Sequence, residues 1–232
     1  MQYTITKVIP ETHDTISIYF DGPKMEFIPG QFVMINFPVD GNIVKRAYSI
    51  ANSPTKDYLQ ITVKEVPSGF ISKRLQSVKV GQTFEIAGPY GRFCFDENKQ
   101  KKIVLIGAGS GVVPYLSILE YISDKKLTTS AVCFTSHRYE KDCIFRSQFE
   151  KLAKDNSNIS LYQTVTRDSD NQNWPNNYGR ITKDSLLTNL GGFDLDNTYF
   201  FLCGPENFVR GMEKILIESN VAKEKIVLEV YG

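Results

Sequence analysis

The chain changes character after the charged stretch Asp96-Glu97-Asn98-Lys99-Gln100-Lys101-Lys102, and that change limits its fold more than any other feature. Before it, apolar residues recur with period two in short runs: Tyr3 to Ile9, Thr15 to Phe20, Phe32 to Phe37, Lys45 to Pro54, Tyr58 to Glu65 and Thr83 to Ala87. Asp21-Gly22-Pro23, Pro29-Gly30, Asp40-Gly41-Asn42 and Val80-Gly81 punctuate them as turns. Six short strands at this spacing predict a small antiparallel Greek-key β-barrel, interrupted by one helix over Ser68 to Leu75. After the charged stretch, strand runs (Ile103 to Ile106, Ala131 to Phe134, Ser160 to Val165, Tyr199 to Leu202, Ile226 to Val230) alternate with helical segments (Val112 to Ile122, Cys143 to Lys154, Lys183 to Leu190, Glu206 to Ser219). That alternation predicts a doubly wound α/β domain on a parallel sheet, with ligands at the carboxyl ends of its strands. The boundary divides 232 residues into domains of 1–98 and 99–232, each long enough to bury a core. Asp168 to Tyr178 reads as a polar surface loop.

Composition excludes several classes of function. With 27 basic against 26 acidic side chains there is no basic surplus of the kind nucleic acid demands. Cys94, Cys133, Cys143 and Cys203 form no CxxC and no Cys/His spacing that would hold zinc or an iron–sulfur cluster, so no metal site is expected. The N-terminal segment is polar and alternating and reads as a first strand, and no apolar run approaches membrane-spanning length. Free thiols without an export signal predict a cytoplasmic protein.

The run Gly107-Ala108-Gly109-Ser110-Gly111 directly follows a strand and opens a helix, where glycine lets peptide N–H groups approach a pyrophosphate at the positive helix end, a plain tight turn being the alternative. It departs from GxGxxG, since Val112 stands in place of the third glycine. A dinucleotide-binding unit for NAD would end its second strand on an acid. Here that strand ends Thr135-Ser136-His137-Arg138, and the next ends on Arg167. Ser136, Arg138 and Arg167 suit a ribose 2′-phosphate by charge-assisted bonding, and solvated loop arginines are the equal alternative. His13 is expected at the surface, while His137, beside Arg138, is placed to contact a phosphate. In Lys45-Arg46-Ala47-Tyr48-Ser49 the arginine could hold a phosphate, the tyrosine could stack on a planar ring and the serine could bond a ring heteroatom, or the segment is an ordinary strand.

Arg46-Ala47-Tyr48-Ser49 resembles the RxYS flavin signature of the ferredoxin–NADP reductase superfamily, and further landmarks of that family follow in order across both domains. RAYSIANSP, GAGSGVVPYLSIL, SHRY, GRI and the CGP run are most similar to the bacterial ferredoxin (flavodoxin)–NADP reductases. The resemblance implies FAD on the barrel and NADPH, in preference to NADH, on the parallel sheet, with their rings meeting in a cleft. Arg46 would hold the FAD pyrophosphate, Tyr48 would pack on the isoalloxazine, and Ser49 would lie near flavin N5. Val63 and Lys64 would touch the flavin by backbone, and Gly69, Phe70, Ile71 and Ser72 would form the second flavin-phosphate motif. Gly88-Pro89-Tyr90-Gly91 resembles the motif that closes the flavin domain. Gly107, Gly109 and Gly111 would cradle the NADPH pyrophosphate, with Arg138, Arg167 and Arg180 around its 2′-phosphate. Cys203, Gly204 and Pro205 would contact the nicotinamide. Glu229 is either a polar partner of the active site or a strand-end carboxylate, and Tyr231 resembles the aromatics that cover the flavin or contact the FAD adenine. Cys94, Cys133 and Cys143 are expected as buried structural thiols.

The implied activity is hydride transfer from nicotinamide C4 to flavin N5, assisted by Ser49, Cys203 and Glu229, with electrons passed singly to ferredoxin or flavodoxin. An acidic carrier would dock near Lys45, Lys64, Lys73 and Arg74. Three alternatives stand beside it: a flavin reductase using diffusible flavin, the reductase component of an oxygenase, and a non-enzymatic flavin relay subunit.

Overall fold

The computed structural model describes residues 1–191 and 193–231. Two compact units emerge: Met1–Phe95 together with Val113–Asp124, and the residues from Asp96 to Val112 together with those from Lys125 onward.

In the first unit, β1 (Gln2–Thr12), β2 (Thr15–Asp21), β3 (Phe32–Val39), β4 (Asn42–Ser49), β5 (Leu59–Lys64) and β6 (Thr83–Tyr90) pair in the order β4-β3-β6-β1-β2-β5. The pairs are antiparallel, and an Ile50–Ile61 bridge brings the chain after β4 against β5. Alternation along the strands buries Val33, Ile35 and Phe37 of β3 against Ile16, Ile18 and Phe20 of β2, with Ile71 and Leu75 of helix α1 (Phe70–Leu75). Each such side chain contributes about 1.5–3 kcal/mol by leaving water.

The second unit carries β7 (Lys102–Ala108), which runs through a 3₁₀ turn at Gly109–Val112 into α2 (Val113–Asp124). It continues with β8 (Ser130–His137), α3 (Arg146–Asp155), β9 (Ile159–Val165), β10 (Asn177–Tyr178), α4 (Lys183–Asn189), β11 (Tyr199–Pro205), α5 (Glu206–Ile217) and β12 (Ile226–Tyr231). Its six strands are all parallel, in the order β10-β9-β8-β7-β11-β12, so the order reverses between β7 and β11. Val209, Met212 and Leu216 form one stripe of α5 at helical spacing and pack on Val104, Phe134 and Leu202 of the sheet.

Three features differ from the sequence expectation. Asn177–Tyr178 pairs with β9 as a sixth strand, and Trp174 is buried against Cys143 and Val165, so 168–178 is not simply a surface loop. Its polar composition conceals one apolar anchor. Helix α3 begins at Arg146 instead of Cys143, because Phe145 takes a left-handed φ of 59° that separates it from the 3₁₀ turn Glu140–Asp142. Finally, α2 clusters with the barrel. Ser117 Oγ donates to Asn52 O (2.7 Å), Ser53 N–H donates to Glu120 (3.1 Å), and Asp124 accepts from Thr55 Oγ1 (2.5 Å) and pairs with Lys56 (2.9 Å). Residues 117, 120 and 124 share one helix face, so this polar edge of an otherwise apolar helix is seated on the turn after β4.

Candidate functional site

In the first unit the site is built on β4, an edge strand whose residues are mostly exposed. Arg46 lies opposite Ile35 and Tyr48 opposite Val33. The Arg46 guanidinium is exposed and bonds only the carbonyl of its neighbour Lys45 (2.9 Å), with no carboxylate partner among the described residues. Tyr48 packs on the barrel core, and burial pushes its phenol up to about 12, so it stays protonated at neutral pH. Ser49 is buried. Asn52 then locks the turn, accepting from Gln60 N–H (2.7 Å) and donating to Ser53 O and Tyr58 O (both 2.9 Å).

Beside β4, Val63 has its side chain in the core, and its carbonyl accepts from Gln76 Nε2 (3.0 Å). Lys64 is tied to Asp14 at 2.5 Å. Burial opposes ionisation of Asp14, but bonds from Lys64, Thr12 and Thr15 outweigh it and hold the carboxyl below its usual range. Gly69 precedes α1 without a side-chain cap, and a Cβ there would lie 2.5 Å from Ser72 Oγ. Ser72 Oγ accepts from Val66 N–H (3.0 Å) and donates to Gly69 O (3.2 Å), so it already fixes the turn that precedes the helix. Ile71 is in the core, whereas Phe70 is 63% exposed.

In the second unit the site forms where the strand order reverses, the position at which open parallel sheets bind ligands. Gly109 has φ +56°, and a Cβ there would meet nothing within 4 Å, so backbone conformation selects glycine and the space before the turn is open. Gly111 is the opposite case: its Cβ would lie 2.2 Å from Cys203 O. The close packing that a GxGxxG motif assigns to its third glycine is thus met by Gly111, while Val112 is buried. Gly204 faces Ala108 across the same junction, with φ +149° and a Cβ position 3.1 Å from Ala108 O.

Cys203 is fully buried, opposite Glu229 in the β11–β12 register, with Tyr231 opposite Pro205. Burial and the Glu229 charge push the Cys203 thiol up and the Tyr231 hydrogen bond pulls it back only in part, so the thiol stays neutral. Arg138 follows β8, Arg167 follows β9, and Arg180 follows β10. Arg167 N–H donates to Arg138 O (2.8 Å) and Gly179 N–H to Val165 O (2.8 Å), which extends the ladder and places the three arginine-bearing segments side by side. All three side chains are exposed and none has a carboxylate partner among the described residues. Ser136 is buried at the end of β8, and Thr135 Oγ1, also buried, has no hydrogen-bond partner among the described residues. His137 is buried, unlike a solvent-facing phosphate ligand, and His13 is exposed beside Asp14. Cys133 and Cys143 are buried as expected, whereas Cys94 is partly exposed. An open glycine turn, an orphaned hydroxyl and three unpaired cations at adjacent strand ends fit a phosphorylated dinucleotide. The exposed Arg46 on an edge strand, without a carboxylate partner among the described residues, fits a phosphate of FAD.

No group of His, Cys, Asp and Glu suited to a metal ion occurs among the described residues, and no helix is long and apolar enough to cross a membrane. The seat of α2 and the orphaned Thr135 escape sequence reasoning. The spacing of Ser117, Glu120 and Asp124 is the one signal that could have pointed to the former.

Two family models match successive parts of the chain. An oxidoreductase FAD-binding domain model matches residues 2–95 and an oxidoreductase NAD-binding domain model matches residues 105–214. Flavohemoprotein A of Dictyostelium discoideum is 29% identical over 248 residues, covering 100% of this chain and 60% of its own. The glycine betaine monooxygenase reductase subunit of Pseudomonas aeruginosa (strain UCBPP-PA14) is 31% identical over 215 residues, covering 90% of this chain and 58% of its own. The chain therefore spans about 60% of the length of these relatives. A ferredoxin NADP+ reductase from Neisseria gonorrhoeae, solved with bound FAD and NADP, shares the fold with a TM-score of 0.86 at 21% identity, covering 99% of this chain and 98% of that one.

Proposed function

Since the chain belongs to the ferredoxin–NADP reductase superfamily of FAD- and NAD-binding oxidoreductases, we propose that it oxidises NADPH and passes the electrons through bound FAD to a separate carrier, ferredoxin or flavodoxin. When bound, the nicotinamide would supply two-electron hydride chemistry and the flavin the means to pass those electrons on singly. The residues of this chain position and discriminate. Arg46 neutralises the FAD pyrophosphate, Tyr48 offers a protonated ring face, and Ser49 supplies a hydroxyl at the end of the same strand. Gly107, Gly109 and Gly111 bring peptide N–H groups to the dinucleotide pyrophosphate. The neutral Cys203 thiol packs on the nicotinamide without adding charge, with Glu229 and Tyr231 as its neighbours.

The observation that carries NADPH over NADH is the set of unpaired arginines at 138, 167 and 180, since a planar guanidinium matches phosphate oxygens bidentately. The carrier would dock by charge at Lys45, Lys73 and Arg74; Lys64 contributes less, being paired with Asp14. All four cysteines are free, which suits the reducing cytoplasm. The likeness to a monooxygenase reductase subunit favours a second reading, in which the acceptor is an oxygenase component.

Gel filtration followed by carrier assays tests the proposal. The purified chain should elute yellow with FAD and reduce ferredoxin or flavodoxin at the expense of NADPH. Elution without flavin, together with turnover of added free flavin, would turn the assignment to a flavin reductase.

A further inference from the structure

We propose that a clasp formed by Trp174, Arg146, Glu140 and Asn171 positions the three arginines and thereby sets the discrimination between dinucleotides with and without a 2′-phosphate. This inference rests on the reading that Arg138, Arg167 and Arg180 hold that phosphate. Residues 168–178 leave directly from Arg167 and return one residue before Gly179-Arg180, so their placement fixes where two of the three guanidinium groups begin. Backbone bonds hold the two ends of this polar segment, and its middle needs an anchor of its own to fix how both arginines leave it.

The anchor is specific. Trp174 is 4% exposed, packs on Cys143 and Val165, and donates from Nε1 to Asn177 O (2.9 Å). The Arg146 guanidinium lies over its ring at 4.9 Å and pairs with Glu140 (2.5 Å) and Glu150 (2.9 Å). Glu140 stands two residues beyond Arg138. Its other oxygen accepts from Asn171 Nδ2 (2.7 Å), and its N–H donates to Asp168 (2.9 Å), the residue after Arg167. The segments bearing Arg138, Arg167 and Arg180 are therefore joined through one side-chain network that touches none of the three guanidinium groups. The bond from Asn171 and the ion pair with Arg146 hold the Glu140 carboxyl below its usual range, so it stays ionised within the clasp. These are positioning residues, acting only through the arginines.

Steady-state kinetics of the full chain with NADPH and NADH tests the clasp in Asn171→Ala, Trp174→Ala and Trp174→Phe, beside Arg138→Ala. In Asn171→Ala and Trp174→Ala the KM for NADPH should rise by about tenfold, the loss of roughly one hydrogen bond to a charged group. The kcat and the KM for NADH should not move, and Trp174→Phe, which keeps the packing, should recover most of the loss. Equal rises for both dinucleotides in Asn171→Ala would show a merely structural role and overturn the inference. If Arg138→Ala raises the KM for NADPH while Asn171→Ala does not, the clasp alone is refuted. If Arg138→Ala has no effect, the phosphate reading fails and the clasp with it.

Discussion

Gly111 and Cys203 make opposite demands on one contact: the first can carry no side chain because the second presents its carbonyl 2.2 Å from where a Cβ would sit. Gly111→Ala must push β11 away from the glycine turn, since the obstacle is backbone and cannot rotate aside. Overpacking of this kind costs about 1–3 kcal/mol. Denaturant unfolding should show a loss of that size, accompanied by weaker NADPH binding, whereas Gly109→Ala, which meets open space, should show only the smaller cost of its φ. The Cys203 thiol is held up by burial and by Glu229, so it gains no nucleophilic thiolate in the ordinary cysteine range. Native protein treated with iodoacetamide at about pH 8, close to the pKa of a free thiol, should remain unmodified at Cys203 by mass spectrometry. Modification at the rate of a free thiol would contradict the buried, neutral role assigned here.

At the scale of elements, the seat of α2 on the turn after β4 converts sequence-distant groups into one pH-dependent contact. Burial opposes ionisation of Asp124, but the bonds from Thr55 and Lys56 prevail and its carboxyl lies below the usual range. A depressed carboxylate lends stability that is complete above its unfolded pKa, near 3.9, and is lost as pH falls through the lower folded value. Asp124→Asn should therefore destabilise the chain by up to about 1 kcal/mol at pH 7, the scale of a partly exposed ion pair. That difference should vanish in acid below both values. The elements themselves were mostly readable from periodicity: the six barrel strands, the five helices and five of the six parallel strands follow from period-two and helical spacing. What was hidden depends on tertiary partners. β10 is two residues long and exists because β9 offers an edge, and Trp174 is the one apolar side chain in a run of amides and acids. Among candidate site residues, Arg46, the glycine turn and the strand-end arginines could be placed from the sequence because their positions depend on local order along the strands. The ion pair of Lys64 and the internal bonds of Ser72 were not, since their partners Asp14 and Val66 are fixed only by the fold.

For the whole molecule, neutrality overall conceals local use of charge. Its 27 basic groups are not pooled, and the arginines proposed to meet phosphates, Arg46, Arg138, Arg167 and Arg180, stand without acid partners among the described residues. Docking of an acidic carrier on Lys45, Lys73 and Arg74 should weaken as salt rises, because exposed charges are screened within about 10 Å at 0.1 M ionic strength. Carrier reduction should slow with added salt while reduction of the flavin changes far less. The central claim is that bound FAD is reduced by a dinucleotide chosen through its 2′-phosphate. Anaerobic stopped-flow mixing of the purified protein with NADPH and with NADH, following bleaching of the flavin, tests it most directly. Bleaching by NADPH at least about tenfold more efficient than by NADH, the contribution of roughly one charge-assisted contact of 1.4 kcal/mol, is the predicted result; equal or faster bleaching by NADH would contradict it.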